Sequence, residues 1–184
     1  MKKQMNGLLN KGMWCAIVLF ALRCFISIKE IQDGISIYSL WGFAGEAIGG
    51  AALLMVAYEK CLWKFDPFVE IPNINGSYIG TLTSNYDNKA RHVTMKIKQS
   101  LLSTEITVKT EESISRSVSA YVEEVFGETE LIYTYLNEPE SKSRDRSEIH
   151  YGTATFILNE KDHLVGKYFT DRNTSGDMVF RKQK

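Results

Sequence analysis

The residues whose types and spacing can do chemistry are few. Tyr168, Thr170 and Arg172 recur at every second position of the segment HLVGKYFTDR. A strand there turns a phenol, a hydroxyl and a guanidinium to one face, together with Leu164 and Gly166. A guanidinium beside aromatic rings suits a phosphate-bearing planar ligand, through paired hydrogen bonds and stacking. In GSYIGTLTS, Tyr78, Gly80 and Leu82 share a face, and Gly80 admits close approach of backbone or ligand. Further along, His150, Gly152, Ala154 and Phe156 share another, where small residues leave space. A second reading is equally physical: Tyr78 and Tyr168 pack the end of a barrel, and Arg172 closes it by hydrogen bonding to backbone. Catalysis finds little support. The chain has no phosphate-cradling glycine loop, no HExxH or CxxC pattern and no nucleophile elbow, and His92, His150 and His163 are scattered. The sequence therefore argues against an enzyme and implies neither cofactor nor metal.

A different chemistry sits in the first third of the chain. From Gly12 to Ile28 the sequence is apolar except for Arg23, and with Leu8 and Leu9 it approaches the roughly 20 residues that cross a bilayer core. A second apolar run, from Ile35 to Tyr58, is broken only by Glu46. The two predict a transmembrane hairpin with spans at about 8–28 and 36–58, joined by a polar loop that includes Lys29, Glu30 and Asp33. Lys2, Lys3, Lys11, Lys60 and Lys64 flank its outer ends, which places both termini in the cytoplasm. Trp14, Trp41 and Trp63 lie near span ends as depth markers. Glu46, near mid-bilayer, must be paired, protonated or facing water. It can pair with Arg23 across the hairpin, or line an assembled polar interface. Gly45 and Gly49 form a GxxxG spacing beside it, a face that promotes helix association in lipid.

From Pro67 onward the period shifts from helical to two. Alternating segments at 76–84, 91–99, 103–110, 115–125, 129–136, 148–158, 163–172 and 176–182 predict eight short strands and no helix. Consecutive antiparallel strands at this spacing predict an all-β domain, an eight-stranded up-and-down β-barrel; a two-sheet sandwich is the alternative. Lys96, Lys98, Glu105 and Lys109 share one face and need water, which excludes a lipid-facing barrel. The segment 139–147, PESKSRDRS, reads as a charged, solvated loop.

Composition agrees with two chemically different parts, 1–66 and 67–184. The net charge of zero sums 7 basic and 5 acidic residues in the first with 15 and 17 in the second. A mildly acidic domain is unsuited to long nucleic acids, so any nucleotide it binds is small. Cys15, Cys24 and Cys61 all lie in the first part, so no disulfide staples the second, as suits a reducing compartment.

Two spans, a short linker, then a barrel opening with GSYIGTL and closing with GTATFIL, LVGKYFTDR and TSGDMVFR: this arrangement resembles the two-transmembrane, β-rich membrane effectors of bacterial CBASS antiphage systems. The resemblance covers essentially the whole chain. It implies a barrel that binds a cyclic dinucleotide made by a cognate CD-NTase nucleotidyltransferase. Binding then promotes oligomerisation, and the hairpins disrupt the inner membrane and kill the infected cell. It also favours ligand contacts at Tyr78, Tyr168, Thr170 and Arg172, with Tyr78 either stacking on the ligand or plugging the barrel; Gly80 as a ligand contact and the membrane roles of Arg23, Glu46, Gly45 and Gly49 rest on their own types and spacing. The competing function is a membrane-tethered, lipocalin-like carrier of a small apolar ligand; a packed interaction module is a third.

Overall fold

A computed structural model describes residues 2–32, 34–145, 147–160 and 162–183. The chain divides into two compact units, Met1–Val69 and Glu70–Lys184. Asp33 of the hairpin loop and Arg146 of the charged loop lie outside the described residues.

The first unit is a helical hairpin of α1 (Lys2–Ile26), a one-turn α2 (Ile28–Gln32) and α3 (Ile37–Lys60). The segment expected to be a polar loop is thus largely helical. Ser36 starts α3 by accepting the Tyr38 N–H at 3.2 Å, one of the donors that every helix start leaves without an intrahelical partner. Two helical stretches, Lys3–Ile26 and Ile37–Lys60, are long and apolar enough to cross a membrane. They pack through small residues meeting large ones: a Cβ on Gly50 would touch Leu19 at 3.3 Å, and one on Gly12 would touch Met55 at 3.1 Å. Between them Arg23 Nε donates to Glu46 Oε2 at 2.9 Å, its guanidinium lies 4.1 Å from the Phe43 ring centre, and Nη1 reaches Ser27 Oγ. The cross-hairpin pairing of Arg23 with Glu46 is therefore present. Gly42, Gly45 and Gly49 face away from α1, with nothing within 4 Å of their Cβ positions. Trp14 and Trp41 are exposed, whereas Trp63 is 1% exposed. Beyond α3, Lys11 and Tyr58 both hydrogen-bond Asp66, whose carboxyl they hold down at about 2, with the Phe68 N–H adding to the effect.

The second unit is a closed barrel of β1 (Gly76–Ser84), β2 (Ala90–Gln99), β3 (Thr104–Lys109), β4 (Ser113–Val125), β5 (Glu128–Pro139), β6 (His150–Glu160), β7 (His163–Thr170) and β8 (Ser175–Lys182). Every neighbouring pair is antiparallel, and β8 closes on β1 with Tyr78 opposite Lys182 and Ser84 opposite Gly176. A closed barrel leaves no edge to template aggregation. A register shift between Ser117 and Ser119 bends β4.

Alternation decides the interior. Val93, Met95 and Ile97 of β2, Leu131, Tyr133 and Tyr135 of β5, and Met178 and Phe180 of β8 all point inward and are nearly inaccessible. Tyr133 stacks on Phe156 at 6.2 Å between ring centres, and Phe156 meets Phe180 edge-on at 5.8 Å. Phe156 and Phe180 lie over glycines on adjacent strands. A Cβ on Gly80 would meet the Phe180 ring at 2.7 Å and the Val179 carbonyl oxygen closer still; Gly166 is likewise hemmed in by Phe156 and the Thr155 oxygen.

The near end, where the chain enters β1, is closed by residues 71–75. Ile74 is buried in the core, its N–H donates to Gln99 Oε1 at 2.9 Å, and Tyr78 Oη donates to the Ile74 carbonyl at 2.8 Å. At the far end β7 stops at Thr170, two residues short of the expected 172, because Thr170 N–H bonds the Thr174 carbonyl at 2.9 Å to start a turn.

Because Gly166 faces a neighbouring carbonyl, Gly166→Ala is expected to destabilise the barrel by about 1–3 kcal/mol, as overpacked cores do. Gly45→Ala, with open space around it, should leave the unfolding midpoint unchanged. Thermal unfolding of both variants in full-length protein checks this.

Candidate functional site

The five residues expected to bind ligand fall at two different ends of the barrel. Tyr78 lies at the near end. Its hydroxyl is engaged with Ile74, Lys182 Nζ sits 5.8 Å from its ring centre, and burial with the nearby Asp162 pushes its phenol up to about 12. In this geometry Tyr78 pins the plug. Gly80 is covered by Phe180, so its lack of a side chain serves strand contact. Six residues of β1 separate Tyr78 from Ser84, the level of Tyr168, which is about 20 Å at about 3.3 Å per residue. Tyr78 and Gly80 are therefore not brought together with Tyr168, Thr170 and Arg172.

The far end collects the other three. Tyr168 is inward-facing and 8% exposed, its ring lying over Gly176. Thr170 Oγ1 accepts the N–H groups of Arg172 and Thr174, each at 3.3 Å, and contacts Thr174 Oγ1 at 2.7 Å. That hydroxyl is committed to shaping the β7–β8 turn. Arg172 stands in the turn rather than on the strand; it is exposed, and its Nη1 donates a long hydrogen bond to Ser147 Oγ at 3.5 Å. Its guanidinium is thus available for a new partner.

Alternation brings more residues here than the sequence reading included. Tyr135 fills the space above Gly152 that small residues were expected to leave empty. Arg172 lies close enough to Tyr135 to favour its phenolate, although burial wins and pushes the Tyr135 phenol far up. Arg91 has the inward parity of Val93, Met95 and Ile97, which was the signal for it. Asp87 holds it through two hydrogen bonds, 3.0 and 2.6 Å, which raise the guanidinium's pKa further and lower the carboxyl's. His150 and Asn137, directly opposed on β6 and β5, are both buried: His150 Nδ1 lies 2.9 Å from the Glu148 carbonyl and Asn137 Oδ1 accepts from Ser115 at 2.8 Å. The far end therefore combines two phenol rings with two guanidiniums, over a polar lining. Such a set can stack on bases and pair with phosphates.

A closed eight-stranded barrel with cationic and aromatic groups gathered at one end can bind a small anionic, planar ligand. Residues 69–182 match the Cap15 cyclic dinucleotide receptor domain, and the chain belongs to that family. It is also 30% identical over 189 residues to CD-NTase-associated protein 15 of Staphylococcus schleiferi, an alignment spanning 100% of both chains. The family is one of receptor domains, not of enzymes.

Burial raises the phenols of Tyr78, Tyr133 and Tyr135 alike. Above about pH 10 the unfolded chain releases phenolic protons that the folded barrel retains, so stability falls as pH rises from there. An ultraviolet titration of phenolate should give a late class, from these three buried rings, that appears only with unfolding. A single reversible class near pH 10 would contradict the buried assignment.

Proposed function

We propose that this protein is the membrane effector of a CBASS antiphage system. The barrel, 67–184, is the cytoplasmic sensor of a cyclic dinucleotide made by a cognate CD-NTase nucleotidyltransferase. Ligand binding promotes self-association, and the hairpin, 1–66, then disrupts the bacterial inner membrane and ends in cell death. The observation that carries this reading is the family match across the barrel together with full-length similarity to a CD-NTase-associated protein.

The far end supports the ligand part. A cyclic dinucleotide offers two phosphates and two bases; Arg91 and Arg172 supply guanidiniums, and Tyr135 and Tyr168 supply rings. Arg172 gives up almost nothing to bind a phosphate, whereas Arg91 brings its Asp87 partner with it. Thr170 contributes by holding the backbone of Arg172, and Tyr78 and Gly80 contribute by keeping the near end shut. A carrier of apolar ligand needs an apolar cavity, and the interior here is occupied by Tyr133, Phe156 and Phe180.

Basic residues at the outer ends of both spans favour a multi-pass hairpin with cytoplasmic termini. The open Gly45 and Gly49 face favours association between hairpins, and Glu46 borders it with its side chain 63% exposed although paired to Arg23. On association the Arg23–Glu46 pair brings polar atoms to a depth where lipid cannot satisfy them, and thinning and water defects follow.

Purified full-length protein in dye-loaded vesicles, titrated with a panel of cyclic dinucleotides, tests the proposal. Ligand should cause clustering and leakage. Arg172→Ala should weaken binding by at least about tenfold, the worth of one charge-assisted hydrogen bond. Glu46→Gln should keep ligand affinity and reduce leakage. Neither clustering nor leakage with any cyclic dinucleotide would sink the effector mechanism.

A further inference from the structure

The β4–β5 hairpin ends in a feature that its own fold does not explain. Its two-residue turn, Phe126–Gly127, places both residues at positive φ, 51° and 85°. Glycine, asparagine and aspartate fit such a turn; a phenylalanine is held there against its steric preference. Yet Phe126 is fully exposed. Just behind it Glu123 lies directly opposite Glu130, with Glu124 and Glu128 alongside. Like charges directly opposed across a strand pair are destabilising, and Glu123 and Glu130 have no ion-pair partner among the described residues. A strained, exposed ring and a repelling acidic pair at one tip are both relieved by a partner that is apolar in the middle and basic at the rim.

The same barrel carries such a surface. On its outer face β8, β1, β2 and β3 enclose a groove of about 630 Å³ with Ile79 and Val179 on its floor. His92, Lys109 and Arg181 stand around it with one acid, Glu111. Neither Lys109 nor Arg181 has an ion-pair partner among the described residues. In the eight-strand ring, β4–β5 lies on the opposite side from β8–β1. Tip and groove therefore cannot meet within one barrel, and each copy presents one of each.

We propose that the β4–β5 tip docks into the outer groove of a second copy, Phe126 against Ile79 and Val179, with Glu123 and Glu130 against Lys109 and Arg181. The contact is head-to-tail, so it leaves a free tip and a free groove at the two ends and propagates instead of closing as a symmetric dimer. It rests on the self-association proposed above and supplies its contact between barrels; tethering to a membrane raises the local concentration at which a modest contact acts. Lipid is the less suited occupant of the tip, because its acids are repelled by an anionic leaflet. A nucleotide is the less suited occupant of the groove, which offers no tyrosine, tryptophan or phenylalanine ring to stack on.

The test uses full-length protein reconstituted in vesicles, with cyclic dinucleotide affinity and clustering measured separately. Glu123→Lys with Glu130→Lys, or Lys109→Glu with Arg181→Glu, should each weaken clustering by about thirtyfold, as loss of an interface hot spot does, with ligand affinity unchanged. Mixing the two charge-reversed proteins should restore it, since every tip then finds a complementary groove. Phe126→Asn should raise the unfolding midpoint, because asparagine suits the turn, while weakening clustering; a ring that serves only the fold gives the opposite. With Cys15, Cys24 and Cys61 replaced by serine, Phe126→Cys on one copy should form a disulfide with Thr94→Cys on another, and not with itself. Clustering untouched by these changes overturns the tip-and-groove contact while leaving self-association standing. Ligand binding without clustering in the unaltered protein overturns both. Loss of ligand affinity in the groove variant, or tip-dependent binding to vesicles, reassigns the surface to nucleotide or lipid and also overturns the proposal.

Discussion

The barrel depends on aromatic rings seated over glycines of the next strand. Phe180 over Gly80, Phe156 over Gly166, Tyr168 over Gly176 and Tyr135 over Gly152 run through the half of the barrel from β5 round to β1. Each glycine lets a ring lie flat on neighbouring backbone, and each ring covers polar backbone that a glycine leaves bare. The interior is filled as a result. Rings packed in this way take the space that a wide barrel offers a ligand, which is why the site proposed above lies at an end. The near end is taken by residues 71–75, pinned by Gln99 and Tyr78. The far end, where the last two ring-and-glycine pairs are tyrosines and not phenylalanines, is where polar groups collect.

The helical hairpin is organised by one ion pair in the same sense. Arg23 meets Glu46, Phe43 and Ser27 at once, so its charge, hydrogen-bonding fork and flat face are all engaged inside a single pair of apolar helices. In a bilayer, a charge pair in the middle of apolar helices is costly to keep unless the rest of the helix surface has a use for it. Gly42, Gly45 and Gly49 lie on the side of α3 that α1 leaves bare, next to the exposed flank of Glu46. Packing within the hairpin thus uses one face of α3 and leaves this glycine face open.

Periodicity made much of this legible. The strand order and the membrane-length helices follow from apolar spacing alone, and the strand starts and ends differ from the sequence reading by only a few residues, as at β7, where the Thr170 turn ends the strand early. The pairing of Arg23 with Glu46 was among the readings open from their types and positions. Grouping Tyr78 with Tyr168 went against the predicted order itself: in an up-and-down barrel the first and seventh strands run the same way, so the start of β1 and the end of β7 lie at opposite mouths. Arg91 was overlooked because Lys96 and Lys98 drew β2 as a solvated strand, although Arg91 has the opposite parity. The helical turn at Ile28–Gln32 was hidden by its polar composition.

The reading proposed above puts the cyclic dinucleotide at the far end of the barrel, not in its interior or on its outer wall. Photo-crosslinking an azido-base cyclic dinucleotide to full-length protein, followed by mass spectrometric mapping, distinguishes these places. Adducts are expected on the β5 and β7 ends around Tyr135 and Tyr168 and in the turn bearing Arg172, all competed by unmodified ligand. Competed labelling confined to residues 71–78, or to the outer groove around Ile79 and His92, would contradict it.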